Sequence, residues 1–326
     1  MDYRIGGAAD ARMSRGNGIR VVVVTHCSAT TIEGCLRRLL AASAVAEIVV
    51  VDNASDDDTV ARVQSMAAIE SRLQLQVHPD NPGFAAGCNA GALGCVQPWL
   101  AFVNPDCLVQ ADTLVRMRAC GWEQSAGGAR QGASDAGQGA SDMTQGAGDG
   151  GRGRRIGLLG CVQVDADGVP DGACRRRDPS LRALLLARGA RTALRIASDG
   201  TPLQSVDATS GALMLLPSAV FTRVGGFDPG YRLHAEDLDL CRRVRSAGYA
   251  VAIANDISVT HLRGVSSRRR PLWVEWQKHR GLWRYFTKFE ARQTTPPLRW
   301  LLWCTLWLHY GIAAPLAWWR VRRGES

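Results

Sequence analysis

Two short runs limit the fold more than anything else in the chain. Residues 19–25 read IRVVVVT and residues 46–52 read AEIVVVD. A strand this continuously apolar and β-branched is one buried on both faces. Between them, residues 30–43 place Ile32, Cys35, Leu36, Leu39 and Leu40 along one side of a helix. Strand, helix and strand in this order form a right-handed parallel βαβ unit. Further strand patterns at 73–77, 99–103, 156–164, 210–216 and 250–254 extend the sheet. The fold class expected is therefore α/β: a mostly parallel, Rossmann-like sheet flanked by helices.

With 326 residues, 46% of them apolar, the chain can bury a full core. Its ten cysteines include no C-x-x-C pair and mostly sit inside apolar patterns, which predicts reduced, buried thiols and no zinc site. No long apolar run occurs in residues 1–18, so a disordered tail without a secretory signal is expected there, ahead of a cytoplasmic body. The formal charge of +9 is uneven. From Leu262 onward thirteen Arg/Lys stand against three Asp/Glu, a balance of +10 that leaves −1 for everything before it. A basic end of this kind suits nucleic acid, an anionic membrane or a phosphorylated substrate, and charge alone does not choose among them.

The strand ends carry the polar residues. Thr25 closes the first strand, Asp52 and Asn53 the second, Asn81 follows the third, and Asn104-Pro105-Asp106 follows the fourth. In open α/β sheets that carboxyl edge is where ligands bind. Each residue also has a local reading: Asp-Asn-x-Ser is a good turn, and Asp56 to Asp58 a good helix start. Asn89, one turn into the helix after Asn81, is placed to face the same edge. No strand leads into G-x-G-x-x-G or G-x-x-x-x-G-K-[ST], so a phosphate has to be held otherwise. Asp106, a hard oxygen ligand at a strand terminus, fits Mg²⁺ or Mn²⁺ shared with a diphosphate. A later helix opens on Glu236, Asp237 and Asp239. Capping and solvated charge are the local alternative there.

Taken together, VVVVTHCSA, IVVVDNASDD, NPGFAAGCNAG, FVNPDCLV, SGALMLLP, VGGFDPGYRLHAEDLDLCRRVRSAGY and the segment VTHLRG, all in this order, resemble a family 2 glycosyltransferase of GT-A fold, in its rhamnosyltransferase-like branch. The resemblance covers residues 19–290 apart from an insertion. It implies an inverting transfer of a sugar, with dTDP-rhamnose the first donor to try, to a saccharide or lipid-linked saccharide in cell-surface polysaccharide synthesis. It also implies that Asp237 is the general base with Glu236 supporting it, and that Asp239 positions the acceptor. Thr25, Asp52, Asn53, Asn81, Asn89, Asn104 and Asp106 would hold the nucleotide-sugar, and Asp106 and His261 the metal. Two positions depart from the family pattern. Asn104 stands where the D-x-D motif begins, and Thr25-His26-Cys27 replaces the usual Thr-Tyr-Asn. A non-catalytic saccharide-binding protein on the same fold is the alternative, disfavoured because the carboxylate positions are all occupied.

Residues 131–151 repeat as QGASDAG, QGASDMT and QGAGDGG without an apolar seam, so the insertion at 123–155 is expected to be a disordered loop. Arg175, Arg176 and Arg177 read first as a solvated run, with contact to an anionic acceptor or a donor phosphate as the alternative. Past the domain, residues 273–289 pattern as a basic amphipathic helix. Residues 291–326 form a C-terminal segment with five tryptophans, Pro315 and flanking arginines. Arg299, His309 and Pro315 disfavour a membrane span. Trp and Arg together predict peripheral attachment to the cytoplasmic membrane surface, with no nucleic-acid partner.

Overall fold

A computed structural model of the chain describes residues 18–123, 154–179, 194–262 and 270–323. The expected N-terminal tail and nearly all of the insertion lie outside the described residues.

The first half is built as its apolar runs require. Strand β1 (Ile19–Thr25) pairs in parallel with β2 (Val45–Asn53) and β4 (Trp99–Val103), and β2 pairs in parallel with β3 (Leu73–His78). Helices α1 (Ile32–Ala41), α2 (Thr59–Ala67) and α3 (Phe84–Ala92) make the crossovers. Successive valines of β1 and β2 alternate between two cores. Val21, Val23, Ile48 and Val50 pack on the α1 and α2 side; Val22, Val24, Val49 and Val51 pack on the α3 side. Each such buried side chain contributes on the order of 1.5 kcal/mol or more, which pins the register and hence the height at which the strands end.

The second half makes the sheet mixed. After the two-residue strand β5 (Cys107–Leu108) and helix α4 (Thr113–Arg118) come β6 (Ile156–Val164), β7 (Leu203–Val206), β8 (Leu213–Pro217), helices α5 (Ser218–Arg223) and α6 (Glu236–Ser246), and the long strand β9 (Ala250–His261). The order is β3-β2-β1-β4-β8-β6-β9-β5, with β7 also on β9. The expected parallel character is confined to the β3-β2-β1-β4 block and the β6-β9 pair; β8 runs antiparallel to both its neighbours. β9 continues seven residues beyond the expected strand, and its end pairs with β5, Cys107 opposite His261. Neither β5 nor β7 is announced by its sequence.

Trp122 closes the base of this half. Its ring stands edge-on to Trp99, centroids 4.6 Å apart, and its Nε1 donates to Ile156 O at 2.9 Å. Residues 154 and 155 are exposed.

Two helices follow the sheet: α7 (Pro271–Phe289), which starts two residues earlier than its pattern suggests, and α8 (Pro296–Arg323). They pack on one another through Trp276, Trp307 and Tyr310, and through His279 and His309, whose Nε2 and Nδ1 lie 2.9 Å apart. Tyr285 and Phe286 of α7 are buried.

Candidate active site

The strand ends at the carboxyl edge line one cleft. Thr25, His26 and Cys27 come from β1, Asn53 and Asp56 from the turn after β2, and Asn81 and Phe84 from the start of α3. Asn104, Pro105 and Asp106 follow β4, and His261 ends β9. The facing wall is Arg232, Leu233 and His234 with Arg270, Trp273 and Val274 at the head of α7. Gly83 lets the two sides meet: with φ at 101° it passes so close to Arg232 that a Cβ there would lie 2.5 Å from Arg232 O.

Within the wall, Thr25 is buried and its Oγ1 has no partner among the described residues. His26 Nδ1 donates to Asn53 O at 2.8 Å, and Asn53 Nδ2 donates to Gly83 O at 3.1 Å. Cys27 is held at φ 51° and its thiol donates to Asp56 Oδ1 at 3.0 Å. Burial, and then that bond, push the Cys27 thiol up, so it stays protonated.

Asp106 and His261 meet across the β5-β9 pairing. His261 Nε2 lies 3.2 Å from Asp106 Oδ1 and 3.5 Å from Asn104 Nδ2, and His261 Nδ1 has no partner among the described residues. A 3.2 Å spacing of one carboxylate oxygen and one imidazole nitrogen is close to the edge of an octahedron with bonds of about 2.1 Å. The pair therefore fits two adjacent positions on Mg²⁺ or Mn²⁺. No group of three or more His, Cys, Asp or Glu placed to hold a metal occurs among the described residues, so further ligands would have to come from substrate oxygens and water.

Three expected contacts are placed elsewhere. Asp52 is fully buried beneath the cleft, where its carboxylate accepts from Ser55 N at 2.9 Å and Ser55 Oγ at 2.5 Å. It serves the turn, which was its local alternative. Asn89 spans the backbone of Phe227, accepting from its N and donating to its O, both at 2.8 Å. Asp239 has no exposure and pairs with Arg243 at 2.5 Å and Lys288 at 2.6 Å, which braces α6.

Helix α6 does open on Glu236 and Asp237, both buried. A Cβ on Gly211 would lie 3.6 Å from Asp237 Cβ and 4.0 Å from Phe84 Cε1. Asp237 and Phe84, a residue of the cleft lining, thus both come close to Gly211. Burial, and then the Asp237 charge, push Glu236 well above the ordinary carboxylate range, and its Oε2 has no partner among the described residues. Just before them, His234 and Ala235 both adopt left-handed backbone, φ 67° and 69°. This non-glycine strain fixes where the helix begins. His234 is pushed down to about 4, by burial first and Lys278 next, and presents a neutral imidazole to the cleft.

Arg176 was read as solvated and is instead in contact with Asp237. The three consecutive arginines were its only sequence signal.

Residues 20–119 match the model of glycosyl transferase family 2. Over 93 residues, 28% of this chain and 30% of the relative, the sequence is 30% identical to the N-acetylglucosaminyl-diphospho-decaprenol L-rhamnosyltransferase of Mycobacterium tuberculosis (strain CDC 1551 / Oshkosh). Over 43 residues, 13% of this chain and 16% of the relative, it is 49% identical to rhamnosyltransferase WbbL of Escherichia coli (strain K12). These matches span less than a third of either relative. Mannosyltransferase PcManGT from Pyrobaculum calidifontis, solved in complex with GDP-Man and Mn²⁺, shares the fold with a TM-score of 0.51 at 18% identity, over 94% of this chain and 73% of that one.

Proposed function

We propose that this chain is a family 2 glycosyltransferase, as the match of residues 20–119 to that family's model supports, and that it transfers a sugar, rhamnose being the first candidate, with inversion from a nucleoside diphosphate to a lipid-linked saccharide. The observation that carries the reading is the meeting of Asp106 and His261, 3.2 Å apart, at the edge where the other strands also end in polar groups. The two rhamnosyltransferase relatives support the donor, and the diphospho-decaprenol relative supports the acceptor class.

In this mechanism Thr25, Asn53 and Asn81 line the nucleotide's side of the cleft and Asn104 its diphosphate side. Asp106 and His261 would hold Mg²⁺ or Mn²⁺, which when bound supplies positive charge to the departing diphosphate. Asp237 takes the proton of the acceptor hydroxyl. As that oxygen bonds to the anomeric carbon from one face, the bond to the diphosphate breaks on the other, and the nucleoside diphosphate leaves with the electron pair. The proton ends on Asp237 and passes to water after product release.

Attachment to the cytoplasmic face of the membrane belongs to the same proposal. No helix among the described residues is long and apolar enough to cross a bilayer. Helix α8 exposes Trp300, Leu308 and Ile312, at 68%, 70% and 58%. Near its end Arg322 and Arg323 lie 3.9 and 3.6 Å from the ring centres of Trp318 and Trp319. Indole beside guanidinium suits a headgroup layer, where a lipid-linked acceptor would be presented.

The test is Asp237→Asn, assayed with dTDP-rhamnose and other nucleotide-sugars. Nucleoside diphosphate binding should persist while transfer falls by about 10²–10⁴. Full turnover in this variant would remove Asp237 from the role of base.

A further inference from the structure

Asp237 is held from three directions. Its Oδ2 accepts from Nη2 of Arg176 and, at 3.2 Å, from the Gly211 N–H; its Oδ1 accepts from the Leu238 N–H at 2.8 Å. Two of these donors are backbone groups that any residue would supply. The third is a side chain delivered from far away in sequence, on a segment that is otherwise tied down. Arg176 exchanges two backbone hydrogen bonds with Ala208, both 2.9 Å, and its Nη2 also donates to Thr209 O at 2.5 Å. The flanking arginines are fixed too, Arg175 on Asn255 Oδ1 at 2.9 Å and Arg177 through its backbone N on Leu194 O at 2.7 Å.

The pair is largely shielded, with the Arg176 and Asp237 side chains 20% and 13% exposed. Other titratable groups face it from each side. Glu236 is next to it on α6 and Cys241 lies one turn along; His234 precedes the helix, and Cys88 of α3 faces Glu236. Two further cations act on these neighbours, Lys278 on His234 and Arg245 on Cys241. Two adjacent carboxyls in such a place do not both ionise readily, and a cation bonded to one of them decides which carries the charge. Arg176 bonds to Asp237, while Glu236 is left with an unpartnered oxygen.

Resting on the assignment of Asp237 as proton acceptor, we propose that Arg176 is a positioning residue, fixing which of the two neighbouring carboxyls takes the acceptor's proton and where that carboxylate points. Arg176 keeps its own protons throughout, since a guanidinium does not deprotonate in proteins. Only the hydroxyl proton moves, from acceptor oxygen to Asp237.

The experiment measures kcat against pH, together with donor KM and nucleoside diphosphate affinity, for the wild type, Arg176→Gln, Arg176→Lys and Asp237→Asn. Removing a positive charge bonded to the proton acceptor disfavours the ionised form at that place, so the acidic limb of kcat in Arg176→Gln should move to higher pH by about one unit or more. Donor KM and nucleotide affinity should stay within about twofold, because the nucleotide wall is untouched. A purely structural arginine would lower kcat at every pH and leave the limb in place, and that result overturns the proposal. If Arg176→Gln does not fold, Arg176→Lys carries the test. It keeps a charge but not the planar donor, and kcat should drop about tenfold with donor KM unchanged; wild-type kcat in Arg176→Lys overturns the proposal. Asp237→Asn separates the two levels. Retained transfer there removes the underlying base assignment, whereas lost transfer with an unmoved limb in Arg176→Gln removes the role of Arg176 alone.

Discussion

Asp106 and His261 are neighbours because a two-residue strand pairs with the last step of a twelve-residue one: Cys107 is opposite His261, and Leu262 N donates to Asp106 O at 3.0 Å. The pairing sets the carboxylate and the imidazole 3.2 Å apart. With these two protein donors among the described residues, the proposed cation should bind weakly alone and more tightly with nucleoside diphosphate. His261→Ala and Asp106→Ala should each weaken Mn²⁺ binding in the ternary complex about 10–100-fold, by analogy with the loss of supporting groups at metal sites. Electron paramagnetic resonance of Mn²⁺ with and without nucleotide reads this directly, and affinity unchanged in both variants would count against the pair.

Glu236 and His234 impose opposite pH dependences on stability. The folded protein raises Glu236, by burial first, from its ordinary value of 4.5. Its contribution is therefore complete below that value and is lost as pH rises through the raised one. His234 is pushed down from 6.5 to about 4, again mainly by burial. Its contribution is present above 6.5 and disappears as pH falls towards 4. Each group adds a slope of at most about 1.4 kcal/mol per pH unit. Urea midpoints measured from pH 4 to 9 should show Glu236→Gln flattening the alkaline decline and His234→Asn flattening the acidic one.

The loop before α6 is fastened to α7 through Asp228. Its carboxylate accepts from Arg284 at 2.8 Å and Lys288 at 2.7 Å, and from the Gly230 N–H at 2.9 Å. Burial alone would raise this group, but the Lys288 and Arg284 bonds outweigh it and hold it at about 2. The stabilisation is present above the ordinary value of 3.8 and is lost as pH falls through 2. Asp228→Asn should cost about 1 kcal/mol at neutral pH, reduced from the full linkage value because the group is partly solvated. Chemical denaturation at pH 7 and pH 3 measures it, and the difference from wild type should shrink at the lower pH.

Membrane attachment through α8 predicts a response to both indole and charge. Replacing Trp300, Trp303, Trp318 and Trp319 together with serine should lower binding to vesicles containing anionic lipid at least tenfold, while the far-ultraviolet dichroism is retained. Binding by the wild type should weaken with added salt. Equal sedimentation of wild type and variant with vesicles would exclude this face.

The βαβ core was legible because its signal is local: alternating valines and one amphipathic stripe specify β1, α1 and β2 within 35 residues. The height of the strand ends follows, and with it Thr25, Asn53, Asn81, Asn104 and Asp106 on one cleft. What was not legible depends on pairing across distance. β5 is too short to carry a pattern, so the meeting of Asp106 with His261 was reachable only through the family resemblance. Arg176 looks like any solvated arginine until the segment around Ala208 brings it to Asp237. Asp239 sits one helical turn from Glu236 as its spacing requires, yet Lys288 of α7 covers that side of the helix. Asp52 shows a local rule prevailing, since Ser55 three residues on takes both of its oxygens.

The bond from Trp122 Nε1 to Ile156 O fastens together the described residues on either side of 124–153. That makes 124–153 a natural place to divide the chain in two. Asp106 would belong to one fragment, with Asp237 and His261 in the other, and β4 and β8 would have to re-pair between them. Co-produced fragments 1–123 and 154–326 would then complement one another, and sugar transfer would report their reassembly.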